Sequence, residues 1–154
     1  MRDYKNLILA FDPGRDKIGF ALVNFDGELI FSGIIPSDKK EIFFDSLLNE
    51  KSIEEFLIEK FSESFNFFPF IKFIVIGNGT KSKDFYNYVK NTLPLEIKIV
   101  DEKNTTLEAR KLYWKIHEPK FFQKILPEGL RVPKRILDDL AAWAIALRQL
   151  GSRS

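Results

Sequence analysis

Four carboxylates stand where the chain passes from apolar runs into turns or helix starts. Asp12 follows the run 7–11, Glu102 follows the run 96–100, and the pair Asp138-Asp139 opens the last helix. Carboxylates gathered at one cleft repel one another, and a divalent cation is the usual remedy. Two such ions about 4 Å apart activate a water and stabilise the leaving oxygen in phosphodiester cleavage. Each acid also has a purely structural reading. Asp before Pro-Gly is a common turn residue, and Asp near a helix start complements the macrodipole.

The rest of the composition narrows that chemistry. The chain has no cysteine and one histidine, His117. Thiolate zinc sites, iron–sulfur clusters, disulfides, cysteine nucleophiles and multi-histidine sites are therefore excluded. Oxygen ligands point to Mg²⁺ or Mn²⁺. His117, beside Glu118-Pro119, reads as a surface residue at a helix end rather than a general base. Trp114, Tyr113, Phe121 and Phe122 read as core or loop anchors before they read as base-stacking platforms.

The elements that must position the acids follow from hydropathy and turn signals. Residues 7–11, 17–25 and 28–35 read as three strands in tight succession, with Asp26-Gly27 a hairpin signal between the last two. Residues 42–61 carry helical spacing, interrupted at 49–52. Residues 70–76 form a continuous apolar run with one lysine, as in a strand covered on both faces. Helices are expected at 82–93, at 105–116 behind a Thr105–Glu108 capping box, and at 134–150, with a strand at 96–100. The expected fold is α/β: a mixed five-stranded sheet, three antiparallel strands followed by two strand–helix units, with helices on both faces. The strands at 7–11, 70–76 and 96–100 should run parallel, joined by right-handed crossovers. One domain is expected over 1–150, with a loose tail at 151–154.

Net charge is +2, yet its distribution is uneven. Residues 41–63 hold seven acidic and two basic residues, whereas 103–135 hold nine basic and three acidic. One side of the molecule is thus suited to a polyanion, or these are two ordinary solvated faces. The loop Gly77-Asn78-Gly79-Thr80 between a strand and a helix brings backbone N–H groups to where a phosphate binds, or serves only as a turn. Lys17, Lys103, Thr105, Arg110, Lys111, Lys134 and Arg135 are the further candidates for nucleic-acid contact, by sequence-tolerant binding to the backbone. No stretch is long and apolar enough to span a bilayer, and no signal-peptide pattern opens the chain. A cytoplasmic protein without a membrane partner is expected.

Three segments carry a resemblance. Asp12-Pro13-Gly14-Arg15-Asp16-Lys17-Ile18-Gly19-Phe20-Ala21 resembles the D-x-G-x-x-x-I-G-x-A opening of the YqgF-type (RuvX) family of the RNase H-like superfamily. Residues 101–109 are similar to its D-E-x-x-T-x-x-A segment, and Asp138-Asp139-Leu140-Ala141-Ala142 to its terminal D-x-x-A-A helix. The resemblance implies an RNase H-like fold and a metal-dependent endonuclease on structured RNA or branched DNA. Pre-16S rRNA processing and Holliday-junction resolution are the two activities it suggests. It implies Asp12, Glu102 and Asp138 as catalytic acids and metal ligands. Asp139 competes with Asp138 as a ligand, because helical periodicity does not separate them.

Gly77-Asn78-Gly79-Thr80 departs from that family's Gly-Leu-Pro and is similar to the loop in the YqgF-like domain of the transcription accessory protein Tex. This supports the alternative of a non-catalytic nucleic-acid-binding module. An actin-like ATPase would need two such domains around one nucleotide. A homodimer is expected only of an enzyme that must cut two symmetric strands.

Overall fold

A computed structural model describes residues 5–60, 68–79, 81–101, 103, 105–117 and 137–151. Six strands, β1 (Leu7–Pro13), β2 (Lys17–Asn24), β3 (Leu29–Pro36), β4 (Leu57–Lys60), β5 (Ile71–Gly77) and β6 (Glu96–Val100), form one sheet in the order β4-β3-β2-β1-β5-β6. The described α-helices are α1 (Lys40–Leu48), α2 (Ser82–Thr92), α3 (Thr105–Ile116) and α4 (Asp138–Gly151).

The meander forms as its turn residues dictate. Gly27 takes φ +86°, where a side chain would be strained. The Asn24 carboxamide oxygen accepts from the backbone of Asp26 and Glu28, at 3.0 and 2.9 Å, and closes the β2–β3 turn. β1, β2, β3 and β4 pair antiparallel, whereas β1–β5 and β5–β6 pair parallel. The three parallel strands are those expected from the sequence. β1 and β5 are almost wholly apolar because helices cover both faces of the sheet there.

Two cores result. On one face Phe11 meets Phe85, Phe44 and Phe43 at ring separations of 5.0, 5.6 and 6.3 Å, and Phe20 lies 4.8 Å from Phe43. Such offset and edge-on pairs add about 0.5–1.5 kcal/mol each beyond area burial. On the other face α4 lies against β1, β2 and β3. Every residue from Asp139 to Ala146 is buried, as in a helix surrounded by protein. Ala109 and Tyr113 of α3 pack against the same core.

Among the described residues the sheet has six strands rather than the expected five, and the difference lies at 53–60. The break after α1 falls where the sequence places it, through Glu50 at φ 58°. Beyond it there is a single 3₁₀ turn, Glu54–Phe56, and then strand β4. Ile53 and Phe56 do bury, which is the source of the helical spacing. The outer backbone groups of β3 nevertheless need partners. Gly33 presents no side chain there, so the Phe56 carbonyl comes to within 1.9 Å of where a Cβ would stand. Residues 57–60 then complete the ladder. Helix α3 begins at Thr105, as the capping-box signal placed it, and the Glu108 carboxylate bonds Arg148 at 2.9 Å. Residues 118–136, which include the start expected for the last helix, lie outside the described residues.

Candidate active site

The site is built where the carboxyl ends of β1, β5 and β6 share one end of the sheet. β1 and β2 are joined by a tight turn in which the Gly14 N–H donates to the Lys17 carbonyl at 2.9 Å. That turn sets the register in which Asp12 stands directly opposite Gly19. Directly opposed residues project to the same face of a sheet. For Asp12 and Gly19 this is the face of Ile8, Ala10, Ala21 and Val23, which packs against α4.

Gly19 is where α4 begins. A Cβ at this position would stand 1.9 Å from the Asp138 carbonyl oxygen, 2.3 Å from its carbon and 2.8 Å from the Asp139 nitrogen. The missing side chain therefore lets the first turn of α4 rest on β2, beside the strand that carries Asp12. Glycine is required here by close approach, not by an unusual φ.

The adjacent acids of α4 have different surroundings. Asp139 is 0% exposed, and its Oδ2 accepts from the Ser32 hydroxyl at 2.5 Å. Ser32 lies on the same sheet face, opposite Ala21 in the β2–β3 register. Asp138 is only partly buried. Burial pushes its carboxyl above the ordinary carboxylate range; the Lys17 ammonium opposes that shift and Asp139 adds to it. Lys17 is thus electrostatically coupled to the acid that stands over Gly19.

The other end of the site is the β6–α3 turn. Asp101 Oδ1 accepts from the Lys103 N–H at 3.0 Å, and the Asp101 carbonyl accepts from Arg148 at 2.7 Å. Arg148 also holds Glu108 of α3, so one guanidinium joins α4, α3 and this turn. Glu102 lies outside the described residues, as do Thr80, Lys134 and Arg135. The Asn78 N–H bonds the Val100 carbonyl at 3.0 Å, and the Gly79 carbonyl accepts from Ser82 at 3.0 Å. Gly77 and Asn78 therefore end β5 alongside β6, one step past the Phe11–Ile76 rung that precedes Asp12. Lys17, Lys103 and Lys111 are exposed and Arg110 is half-buried. Thr105 is buried, at 6% exposure, so it belongs to the start of α3 and not to the surface.

His117 is not on this site. Its Nε2 lies 2.5 Å from Glu59 Oε1 on β4, and its ring lies against Tyr113. Among the described residues, no group of three or more His, Cys, Asp or Glu side chains is arranged to hold a metal ion. The sequence reading missed Gly19, Ser32 and Arg148 as positioning residues. Ser32, a hydroxyl inside an apolar strand, was the visible signal for the second of these.

No family model and no curated protein sequence matches the chain. Among solved structures it is similar to a ROK family transcriptional regulator, described as a homolog of E. coli MLC protein, at 14% identity and a TM-score of 0.40. The match covers 70% of this chain and 31% of that one, so this chain spans about a third of that structure's length. The assignment to the YqgF type is not borne out: no model of that family matches the chain. Local structure explains how its motifs arise without that kinship. Asp12-Pro13-Gly14 leads into the β1–β2 turn, Asp101 caps the β6–α3 turn, and Asp139 anchors a buried helix to Ser32.

Proposed function

We propose that this protein is a divalent-metal-dependent endonuclease acting on structured nucleic acid, RNA or branched DNA. The observation that carries the reading is the seating of α4 on Gly19, which brings Asp138 beside the strand position of Asp12. Asp12, Asp138 and Glu102 are the acids assigned to it. Asp139 is the weaker candidate ligand, because its carboxylate is buried and already accepts from Ser32.

The donor set fits Mg²⁺ or Mn²⁺, which take oxygen ligands and are commonly held by one or two carboxylates together with water and substrate phosphate. When bound, such an ion polarises a phosphoryl oxygen and lowers the pKa of its water. The chain's own residues do the rest. Asp12 and Asp138 must be ionised to serve as ligands, and the Lys17 charge favours ionisation of Asp138 against its burial. Lys17, Lys103, Arg110 and Lys111 are assigned to the phosphate backbone, which they would contact without reading sequence.

The finer fold reading, an RNase H-like sheet, is supported by the strand order. An antiparallel β3-β2-β1 meander is extended by parallel β5 and β6, with short β4 added to the outer edge. No described helix is long and apolar enough to cross a membrane, and a cytoplasmic location without a membrane partner accompanies the proposal.

The test is incubation with Mg²⁺ or Mn²⁺ and end-labelled substrates: a structured rRNA precursor end, a single-stranded RNA and a four-way DNA junction. Metal-dependent cleavage is expected, lost in Asp12→Asn and Asp138→Asn while binding persists. The preferred substrate would separate rRNA processing from junction resolution. Binding without cleavage of any substrate would overturn the enzyme reading in favour of a non-catalytic nucleic-acid-binding module. The exposed Lys17, Lys103 and Lys111 favour that second reading independently of the acids.

A further inference from the structure

The two edges of the sheet differ in how they are guarded. At one edge β4 is four residues long and its pairing with β3 is interrupted by a register shift. Its Glu59 is engaged by His117, and its Lys60 by Glu54 at 2.8 Å. Short, irregular, charged edge strands resist pairing with another chain. At the other edge β6 pairs with β5 without interruption over all five of its residues. It presents Ile99 at 48% exposure.

The backbone phase of β6 is set by its inner neighbour. The Val100 carbonyl accepts from Asn78 on the β5 side. Since backbone groups alternate direction along a strand, those of Glu96 and Lys98 also face β5, and those of Ile97 and Ile99 face outward. An antiparallel partner strand must then pair outward-facing residues with outward-facing residues. If that partner is the same strand about a two-fold axis, four registers centred within the strand satisfy this rule. One sets Lys98 opposite Lys98, one sets Glu96 opposite Glu96, one is centred on Ile99 and sets Lys98 opposite Val100, and one is centred on Ile97.

Only the register centred on Ile97 opposes unlike charges. Glu96 then faces Lys98 of the second copy, and Lys98 faces its Glu96, both in the close, non-hydrogen-bonded type of pair. These residues lie on the α4 face, as their pairing with Phe73 and Val75 requires. On the opposite face Ile97 meets Ile97, and the exposed Ile99 meets Leu95. Leu95 and Ile97 already border the Phe-rich core. Hydrogen-bond phase, charge and apolar pattern therefore select one register.

We propose that the outer edge of β6 is a homodimerisation surface, through which two copies of this chain join their sheets about a two-fold axis at Ile97. Such an isologous contact is closed and does not propagate into fibres. The proposal does not depend on the nuclease reading.

Sedimentation velocity over a concentration series, on the full chain without metal or nucleic acid, tests it. Wild-type protein should self-associate. Glu96→Lys and Lys98→Glu should each weaken association about tenfold, because both symmetry-related pairs become repulsive. Glu96→Lys is the cleaner probe, since the Lys98 ammonium also rests 4.7 Å over the Phe73 ring of its own chain. The double variant, and an equimolar mixture of the two single variants, should associate as wild type does. That recovery separates a lost charge match from a lost fold. A wild-type protein that stays monomeric to about 1 mM, at the weak end of measurable affinity, would overturn the proposal. So would a dimer indifferent to both reversals.

Discussion

Gly19→Ala places one methyl group between β2 and the first turn of α4. Its Cβ would stand 1.9 Å from the Asp138 carbonyl oxygen, and even a tight contact needs 3.0 Å, so the helix start must retreat by about 1.1 Å. The obstacle is backbone on both sides, with no side chain to rotate away. Overpacking of this kind costs about 1–3 kcal/mol. Misplacing a reacting group by about 1 Å costs on the order of 10²-fold in rate.

Gly33→Ala is the matched control. Its Cβ would meet the Phe56 carbonyl at 1.9 Å and the Phe20 ring at 2.8 Å, on the opposite face of the sheet. Both variants should lose stability to a similar degree in urea denaturation followed by circular dichroism. Only Gly19→Ala should speed amide exchange at Ala141, whose N–H bonds the Leu137 carbonyl at 2.9 Å in the first turn of α4. If the proposed nuclease activity holds, only Gly19→Ala should lose metal-dependent cleavage per folded molecule. If it unfolds at the wild-type midpoint and protects Ala141 as wild type does, α4 is not seated on Gly19 and does not bring Asp138 beside Asp12.

Two further outcomes follow from the acids of α4. Burial raises the Asp138 carboxyl above its ordinary range, so its contribution to stability is fully present below the unfolded pKa and is lost as pH rises through the folded one. Asp138→Asn should therefore gain stability relative to wild type between pH 4 and pH 7 in the metal-free protein, and a pH-independent difference in urea midpoint would contradict this. Ser32→Ala removes a hydroxyl donor from the buried Asp139 carboxylate and should cost about 1.5–3 kcal/mol, as for hydrogen bonds to charged groups. An unchanged unfolding midpoint would show that the pair contributes nothing.

Much of the fold was legible because its signals are local. Asn24, Asp26 and Gly27 announce their hairpin, and the apolar runs of β1 and β5 announce strands covered on both sides. The 3.6-residue rhythm of 82–93 announces α2, which ends one residue earlier, at Thr92. Strand β4 was not legible. Ile53, Phe56 and Leu57 have helical spacing, and the competing force, the unpaired edge of β3 above Gly33, lies twenty or more residues away in sequence.

The site divides in the same way. From residue type and order alone came the acids, their place after strands or at a helix start, and the oxygen-donor character of any metal they hold. The sequence also suggested a kinship that the comparisons do not bear out, because short motifs record turn and cap chemistry that unrelated sheets share. Tertiary structure alone gave Asp138 and Asp139 different surroundings. Adjacent helical residues point about 100° apart, and both directions are plausible until Ser32 takes one carboxylate and Gly19 brings the other's backbone down beside Asp12. That difference depends on contacts between segments more than a hundred residues apart, which no local pattern encodes.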